Sequence, residues 1–198
     1  MSSEDIEKLI SQFSRFPGMG SRSALRSVIY LLKKKETVMS SFIKNLEAVY
    51  LNSKVCKICG NIDNTSPCHI CSDKKRDNST ICVVADISDL WSIERAGFYR
   101  GLYHVLGNKL SAINGISPED LNITSLIDRL SNVKEVVIAM SADLDGQTTM
   151  FFINDKIKHL NLKITTLSHG VPIGSELEYL DDGTIIAAFN QRRDIISQ

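Results

Sequence analysis

Four cysteines in two close pairs constrain this chain more than any other feature. Cys56 and Cys59 lie in VCKICGN, and Cys68 and Cys71 lie in PCHICSD; each pair is C-x-x-C, with eight residues between the pairs. Two thiolates at that spacing grip one side of a metal ion, and two such pairs complete the tetrahedron that structural zinc requires. The ligand set is closed, so it predicts a small stapled module rather than a reaction centre. A disulfide framework would need an oxidising compartment, and nothing in the chain suggests export. A thioredoxin-type redox pair and an iron ion held by the same four ligands are the remaining alternatives. Cys82, the fifth cysteine, sits in the apolar run ICVVA and reads as a buried strand residue. His69, inside the second pair, reads as a surface residue of the knuckle, since the ligand set is complete without it.

The length of 198 residues suits one large domain or two small ones. No apolar stretch approaches a membrane span. The N-terminus carries Glu4, Asp5 and Glu7 and lacks a signal-peptide core, so a reducing cytoplasm is expected. Net charge is zero but unevenly spread: residues 1–76 hold 13 Lys/Arg against 7 Asp/Glu, and residues 77–198 hold 10 against 16. That asymmetry hints at a half that faces a polyanion and a half that faces something else.

Hydrophobic spacing predicts helices over 4–13, 22–33 and 38–51. Pro17, Gly18 and Gly20 break the first from the second, and Ser21 is placed to cap the second. Ala24, Leu25, Val28, Ile29 and Leu32 would form the buried side of that second helix. These fifty residues make too small a core to stand comfortably alone, and the cysteine module directly after them could brace them. From residue 80 the pattern changes to short apolar runs alternating with helices. Strands are expected over 81–85, 102–106, 135–140 and 162–167, with helices over 88–96, from Pro118 through Leu130, and over 148–160. Alternation of this kind implies an α/β architecture with a parallel sheet covered on both faces.

Two constellations carry chemistry. The first is helix–PGMG–helix: glycines allow a sharp turn, and the amides opening the next helix form a ready phosphate site. Arg22 and Arg26 lie one turn apart on one face of that helix, and Arg15 precedes the turn. This is a helix-hairpin-helix arrangement suited to sequence-independent grip on a DNA backbone; a plain helix connection with solvated arginines is the alternative. The second is the acidic loop Ser141-Ala142-Asp143-Leu144-Asp145-Gly146 after the strand EVVIAM. Carboxylates at the C-terminal end of a parallel strand sit where α/β folds place ligands, and Asp143 and Asp145 could reach one magnesium ion. The motif resembles the acidic motif of Toprim domains. Those enzymes also use a glutamate at the end of the first strand, where this chain has Ala85 followed by Asp86; a one-residue shift reverses side-chain direction on a strand. His104 reads as a packed residue, Trp91 as packing for the first helix of the sheet domain, and His169 as a candidate interface residue.

With FPGMGSRSA, the two cysteine pairs, CVVADISDLWSIERAG, YRGLYHVLG with LSAINGISPEDL, and HGVPIGSELEYLDDGT in that order, the chain resembles the bacterial recombination mediator protein RecR family over nearly its whole length. The segment GLYHVLGNKLSAINGISPEDL is the most specific part of the match. The resemblance implies a helix-hairpin-helix DNA-binding unit over 1–53, a four-cysteine zinc finger over 54–76, a Toprim domain over 77–170 and a C-terminal assembly segment over 171–198. It implies one structural zinc on Cys56, Cys59, Cys68 and Cys71, and DNA contacts from Gly18, Gly20, Ser21, Arg22 and Arg26. It implies a protein that is not an enzyme and that binds single- and double-stranded DNA. Such a protein works with RecO, and in some contexts RecF, to help load RecA onto single strands, and it assembles as a dimer or tetrameric ring. Asp86, Asp143 and Asp145 would then mark a partner-binding or vestigial acidic surface. The acidic loop of many members is Asn-Pro-Thr-x-Glu-Gly-Glu, whereas this chain has SADLDGQ, with Gln147 in place of the last acid. The rival reading is a magnesium-dependent Toprim nuclease or topoisomerase-like enzyme using Asp86, Asp143 and Asp145.

Overall fold

The computed structural model describes residues 3–168 and 170–191; His169 and the last seven residues lie outside the described residues. The chain divides into two compact units, with the boundary between Ser53 and Lys54.

The first unit is helical. Helix α1 (Glu4–Phe13) has acids in its first turn, which suit the positive end of the helix dipole. A turn through Pro17 and Gly18 follows, with Gly18 at φ +75°, a conformation that a side chain would strain. Helix α2 (Ser21–Lys33) then begins with Gly20 in the capping position. Ser21 is therefore not the cap but the first helical residue, and no side chain caps this end. A single π-helical turn, Lys35–Met39, leads into α3 (Ser40–Asn52). The buried side of α2 is Ala24, Val28 and Leu31. Leu25, Ile29 and Leu32, expected to be buried, form a second stripe that is exposed, and α3 buries no residue at all. Three short helices have too much apolar surface for one small core to cover.

The second unit opens with the cysteine knuckle, an antiparallel pair β1 (Lys54–Val55) and β2 (Ile62–Asp63) followed by the single turn α4 (His69–Ser72). It is built on a four-stranded parallel sheet with strand order β4-β3-β5-β6, where β3 is Asp77–Val84, β4 Gly101–Val105, β5 Glu135–Ala139 and β6 Lys163–Thr166. Its central strands run ICVV against VVIA in register, Cys82 opposite Val137 and Val84 opposite Ala139. Apolar side chains on both faces of a strand require cover on both sides, and the cover differs. On one face, Ile81, Val83, Val136 and Ile138 pack with Leu126 of α6 (Ile123–Ile127) and Ile153 and Ile157 of α7 (Leu144–Ile157). On the other, Cys82, Val84, Tyr103, Val105 and Ala139 pack with Leu90 of α5 (Ile87–Ala96) and with Cys56, Cys59, Cys68 and Ile70 of the cysteine knuckle.

Element identities match the periodicity reading, with shifts at the ends. The helix expected over 148–160 begins at Leu144 because Asp143 caps it, its carboxylate accepting from the Gly146 amide at 2.7 Å. The Ser117–Pro118 start opens only a single 3-10 turn, Pro118–Asp120, before α6. The C-terminal residues form a turn at Leu177–Tyr179 and α8 (Asp182–Asn190), capped by Asp181. No helix among the described residues is long and apolar enough to cross a membrane.

Candidate functional site

The four cysteines converge. Their sulfur atoms all lie within 4.8 Å of one another, and the Cys59 and Cys68 sulfurs are 3.6 Å apart. A zinc ion ~2.3 Å from each of four tetrahedral sulfurs would set them about 3.8 Å apart, so the cluster fits that ion. The Cys68 amide donates to the Cys56 sulfur at 3.3 Å, the kind of outer contact that steadies a thiolate ligand. The cluster also holds too much potential charge to stand alone. The Cys71 thiol donates to Cys59 and, against the opposing effect of burial, brings it down to about 5. The same contact, with burial, holds Cys71 far above the ordinary thiol range, and burial pushes Cys68 up to about 11. A divalent cation resolves this conflict: it deprotonates all four ligands and offsets half of their charge, leaving a net −2.

The knuckle is fastened to the sheet. The Cys59 carbonyl accepts from the Val105 amide at 2.8 Å, extending the outer strand β4. Gly60, at φ +79°, lies so close to Val105 that a Cβ would sit 3.2 Å from both the Val105 Cβ and its carbonyl oxygen. Asn61 is buried; its backbone carbonyl accepts from the Cys56 amide, and its side-chain oxygen accepts from the Trp91 indole at 3.0 Å. Trp91 therefore joins the knuckle to α5 and is not simply core packing; it stays half exposed. Arg76, just beyond the knuckle, makes a two-pronged ion pair with Glu94 of α5 and donates to the Gly101 carbonyl of β4. His69 stands outside the ligand set, donating from its backbone amide to the Asp63 carboxylate and pairing with it through Nδ1 at 2.6 Å. Cys82 is buried on β3, where burial pushes its thiol up to about 12.

At the other end of the sheet, β3 and β5 are neighbours although β4 intervenes in sequence, so the strand order reverses there and opens a crevice at their C-terminal ends. The crevice, about 440 Å³, is lined among others by Ala85, Asp86, Asp89, Lys109, Ser141 and Leu167. The acids in and beside it have structural employment. Asp86 caps α5, accepting from the Ser88 amide, and Asp89 reciprocates by accepting from the Asp86 amide. Asp143 caps α7 and also accepts from the Lys109 ammonium at 2.6 Å; that ammonium reaches Ser141 Oγ at 2.9 Å. Lys109 and the Gly146 amide hold the Asp143 carboxyl down to about 2. Gly146 is required by close approach, since a Cβ there would collide with the Ser141 carbonyl oxygen. Asp145 sits half buried in the first turn of α7. Among the described residues these three acids do not gather into a metal-ligating group; the cysteines do. Sequence reasoning misses Lys109, because an ion pair between residues 34 positions apart leaves no local pattern.

The helical unit presents Gly18, Gly20, Ser21, Arg22 and Arg26 at an exposed or half-exposed helix start. Among the described residues neither arginine makes an ion pair. His104 is buried between the sheet and α6: its Nε2 meets the Asn122 carbonyl at 2.8 Å and its Nδ1 meets Arg129 at 3.1 Å. Burial lowers it to about 4, with Arg129 adding to the effect, so it is a neutral packing residue.

Comparison with known proteins identifies these parts. Residues 6–50 match the family model for the RecR helix-hairpin-helix, and 54–73 match that for the RecR zinc finger domain with four cysteine ligands. Residues 79–168 match the Toprim domain, and 170–193 match the RecR C-terminal model. The protein named Recombination protein RecR in Parvibaculum lavamentivorans is 48% identical over 191 residues, 96% of each chain. Its namesake in Erythrobacter litoralis is 47% identical over 197 residues, 98% of this chain and 100% of the relative. That of Bartonella bacilliformis is 49% identical over 190 residues, 95% of this chain and 94% of the relative. The chain belongs to the RecR family. Its four clustered cysteines fit one structural zinc, which closes the knuckle that packs on the sheet.

Proposed function

We propose that this RecR family member is a DNA-binding mediator of recombinational repair, acting in the cytoplasm without catalysing a reaction of its own. It binds single- and double-stranded DNA without regard to sequence, and it works with RecO, and in some contexts RecF, to help load RecA onto single strands. The observation that carries the DNA part is the start of α2: uncapped amides beside Arg22 and Arg26, two exposed cations with no ion-pair partner among the described residues. Such an arrangement attracts phosphate and carries no base information. The proposed homo-oligomer, a dimer or tetrameric ring, is supported by exposed apolar side chains on α3, among them Ile43, Leu46 and Val49, and on α8, Ile186 and Phe189. The non-enzymatic reading rests on Ala85 at the strand end and on Lys109, whose ammonium already neutralises Asp143. The crevice lined by Asp86, with Asp143 and Asp145 at the adjoining start of α7, is the proposed meeting surface for a basic partner protein.

The test is the double variant Arg22→Ala with Arg26→Ala, titrated against oligonucleotides at several salt concentrations. Both single- and double-stranded binding should weaken, and the salt slope for duplex should fall by about 2, one for each lost phosphate contact. Parent-like affinity at moderate salt would refute the assignment of the hairpin. Nicking of supercoiled DNA in magnesium, abolished by Asp145→Asn, would instead favour an enzyme.

A further inference from the structure

The helical unit has a groove that begins beside the proposed phosphate contacts and extends past them. It lies among all three helices, has a volume of about 480 Å³, and is lined by Phe13 of α1, Ser23, Arg26, Ser27, Tyr30 and Leu31 of α2, and Phe42 of α3. That volume falls in the range of ~300–1,000 Å³ typical of small-molecule sites. Three of the lining residues are aromatic. Phe13 and Phe42 hold their ring centroids 6.5 Å apart at a tilt of 49°, and Tyr30 and Phe42 are 55% and 43% exposed. Arg26 lines the groove, and Arg22, Arg26 and Tyr30 recur every fourth residue along α2, so they form one stripe on that helix. From Arg22 to Tyr30 the stripe is ~12 Å long. It runs from two cations at the helix start to an aromatic ring at the groove. Residues 1–53 carry 8 Lys/Arg against 5 Asp/Glu, so the surroundings favour an anionic ligand.

We infer that this groove holds an unstacked base of single-stranded DNA while Arg22 and Arg26 hold the adjacent phosphates. The inference rests on the DNA-binding reading above and extends it. Aromatic rings offer stacking surfaces that every base can use, so the site gives no sequence preference. The Ser23 and Ser27 hydroxyls offer hydrogen bonds to a base edge or a phosphate oxygen. A duplex keeps its bases paired and stacked and presents no free face to the groove. The hairpin would therefore grip either form by its backbone, and the groove would add affinity for single strands alone. A mediator that acts on single strands gains by this a means of favouring them over the duplex beside them.

Tyr30→Ala tests the inference, with binding to oligo(dT) and to a blunt duplex of equal length measured in the same buffer. Oligo(dT) affinity should fall about tenfold, the loss expected for one stacked base, with duplex affinity unchanged. Tyr30→Phe should behave as the parent. A 5-iododeoxyuridine oligonucleotide should crosslink under light to a peptide bearing Phe13, Tyr30 or Phe42, which tests the site without any substitution. The inference fails if Tyr30→Ala keeps oligo(dT) affinity, if it weakens both nucleic acids equally, or if crosslinks fall elsewhere. If Tyr30→Ala changes sedimentation but not oligo(dT) binding, the groove is a contact between copies of the chain instead. If the parent binds neither nucleic acid, the DNA-binding reading has itself failed and takes the groove with it.

Discussion

His104 is the packed residue that the sequence suggests, and its surroundings say why. A histidine beside a strand end invites a catalytic role, yet here both ring nitrogens are committed, one to the Asn122 carbonyl and the other to Arg129. The stability that its neutral form confers has a definite pH window. Its folded-state value, about 4, lies below the usual 6.5, so the contribution is complete above pH 6.5 and is lost as pH falls towards 4. Between pH 7 and pH 5 the protein should lose about 2 kcal/mol of unfolding free energy through this residue. Denaturant titrations over that range should show the slope, and His104→Gln should flatten it while lowering stability at pH 7. The acids in and beside the crevice are a different case. Asp86 and Asp143 read from sequence as candidate metal ligands, and each proves to be a helix cap. The cap signals are present in the sequence, as Asp86 three residues before Asp89 and Asp143 three before Gly146, but carboxylates near a strand end point equally to chemistry.

At the scale of elements, the knuckle is a wall of the sheet core as well as a metal site. Cys56, Cys59, Cys68 and Ile70 occupy the place that a second helix would otherwise fill beside α5. Two outcomes follow from the way it is fastened. Gly60→Ala should cost about 1–3 kcal/mol, because the residue needs positive φ and its Cβ would press on Val105; thermal unfolding should report it as a lowered Tm. Stripping zinc with a strong chelator, or substituting Cys68→Ser, should release the knuckle. Structural zinc contributes on the order of 10 kcal/mol to such modules. Asn61 would then leave the Trp91 indole, and since Trp91 is the only tryptophan, its emission should move to the red as the metal departs. Unchanged emission with full zinc loss would sever the link between metal and sheet.

At the scale of the whole molecule, the unmet demand is cover for apolar surface. The α3 helix carries Ile43, Leu46, Val49 and Tyr50 outside the aromatic groove, all exposed, on a unit too small to bury them. Assembly of several copies would cover this surface. The parent should sediment as an oligomer, and Ile43→Glu with Leu46→Glu should shift it to a smaller species at equal concentration. Because both side chains are exposed, the fold should tolerate the change at a cost of ~0.5 kcal/mol or less at each site. A variant that sediments like the parent would move the interface elsewhere.

The features legible from sequence were those written in local spacing. The cysteine pairs announced a tetrahedral site because ligand geometry is set by two short loops. The alternation of short apolar runs and helices announced a parallel sheet because buried strands have no polar face to show. The PGMG turn and its arginines announced a helical hairpin for the same local reason. What only the tertiary structure decided depends on residues far apart in the chain. Lys109 meets Asp143 because β4 and β5 flank one central strand; Trp91 meets Asn61 because the knuckle covers the sheet beside α5. Sequence periodicity likewise draws the buried stripe of α2 too wide: Ala24 and Val28 are buried as expected, but Leu31 takes the place given to Leu25, Ile29 and Leu32, because only the neighbouring helices select among apolar positions of similar phase. Spacing records what one element can do; packing decides which of its faces is used.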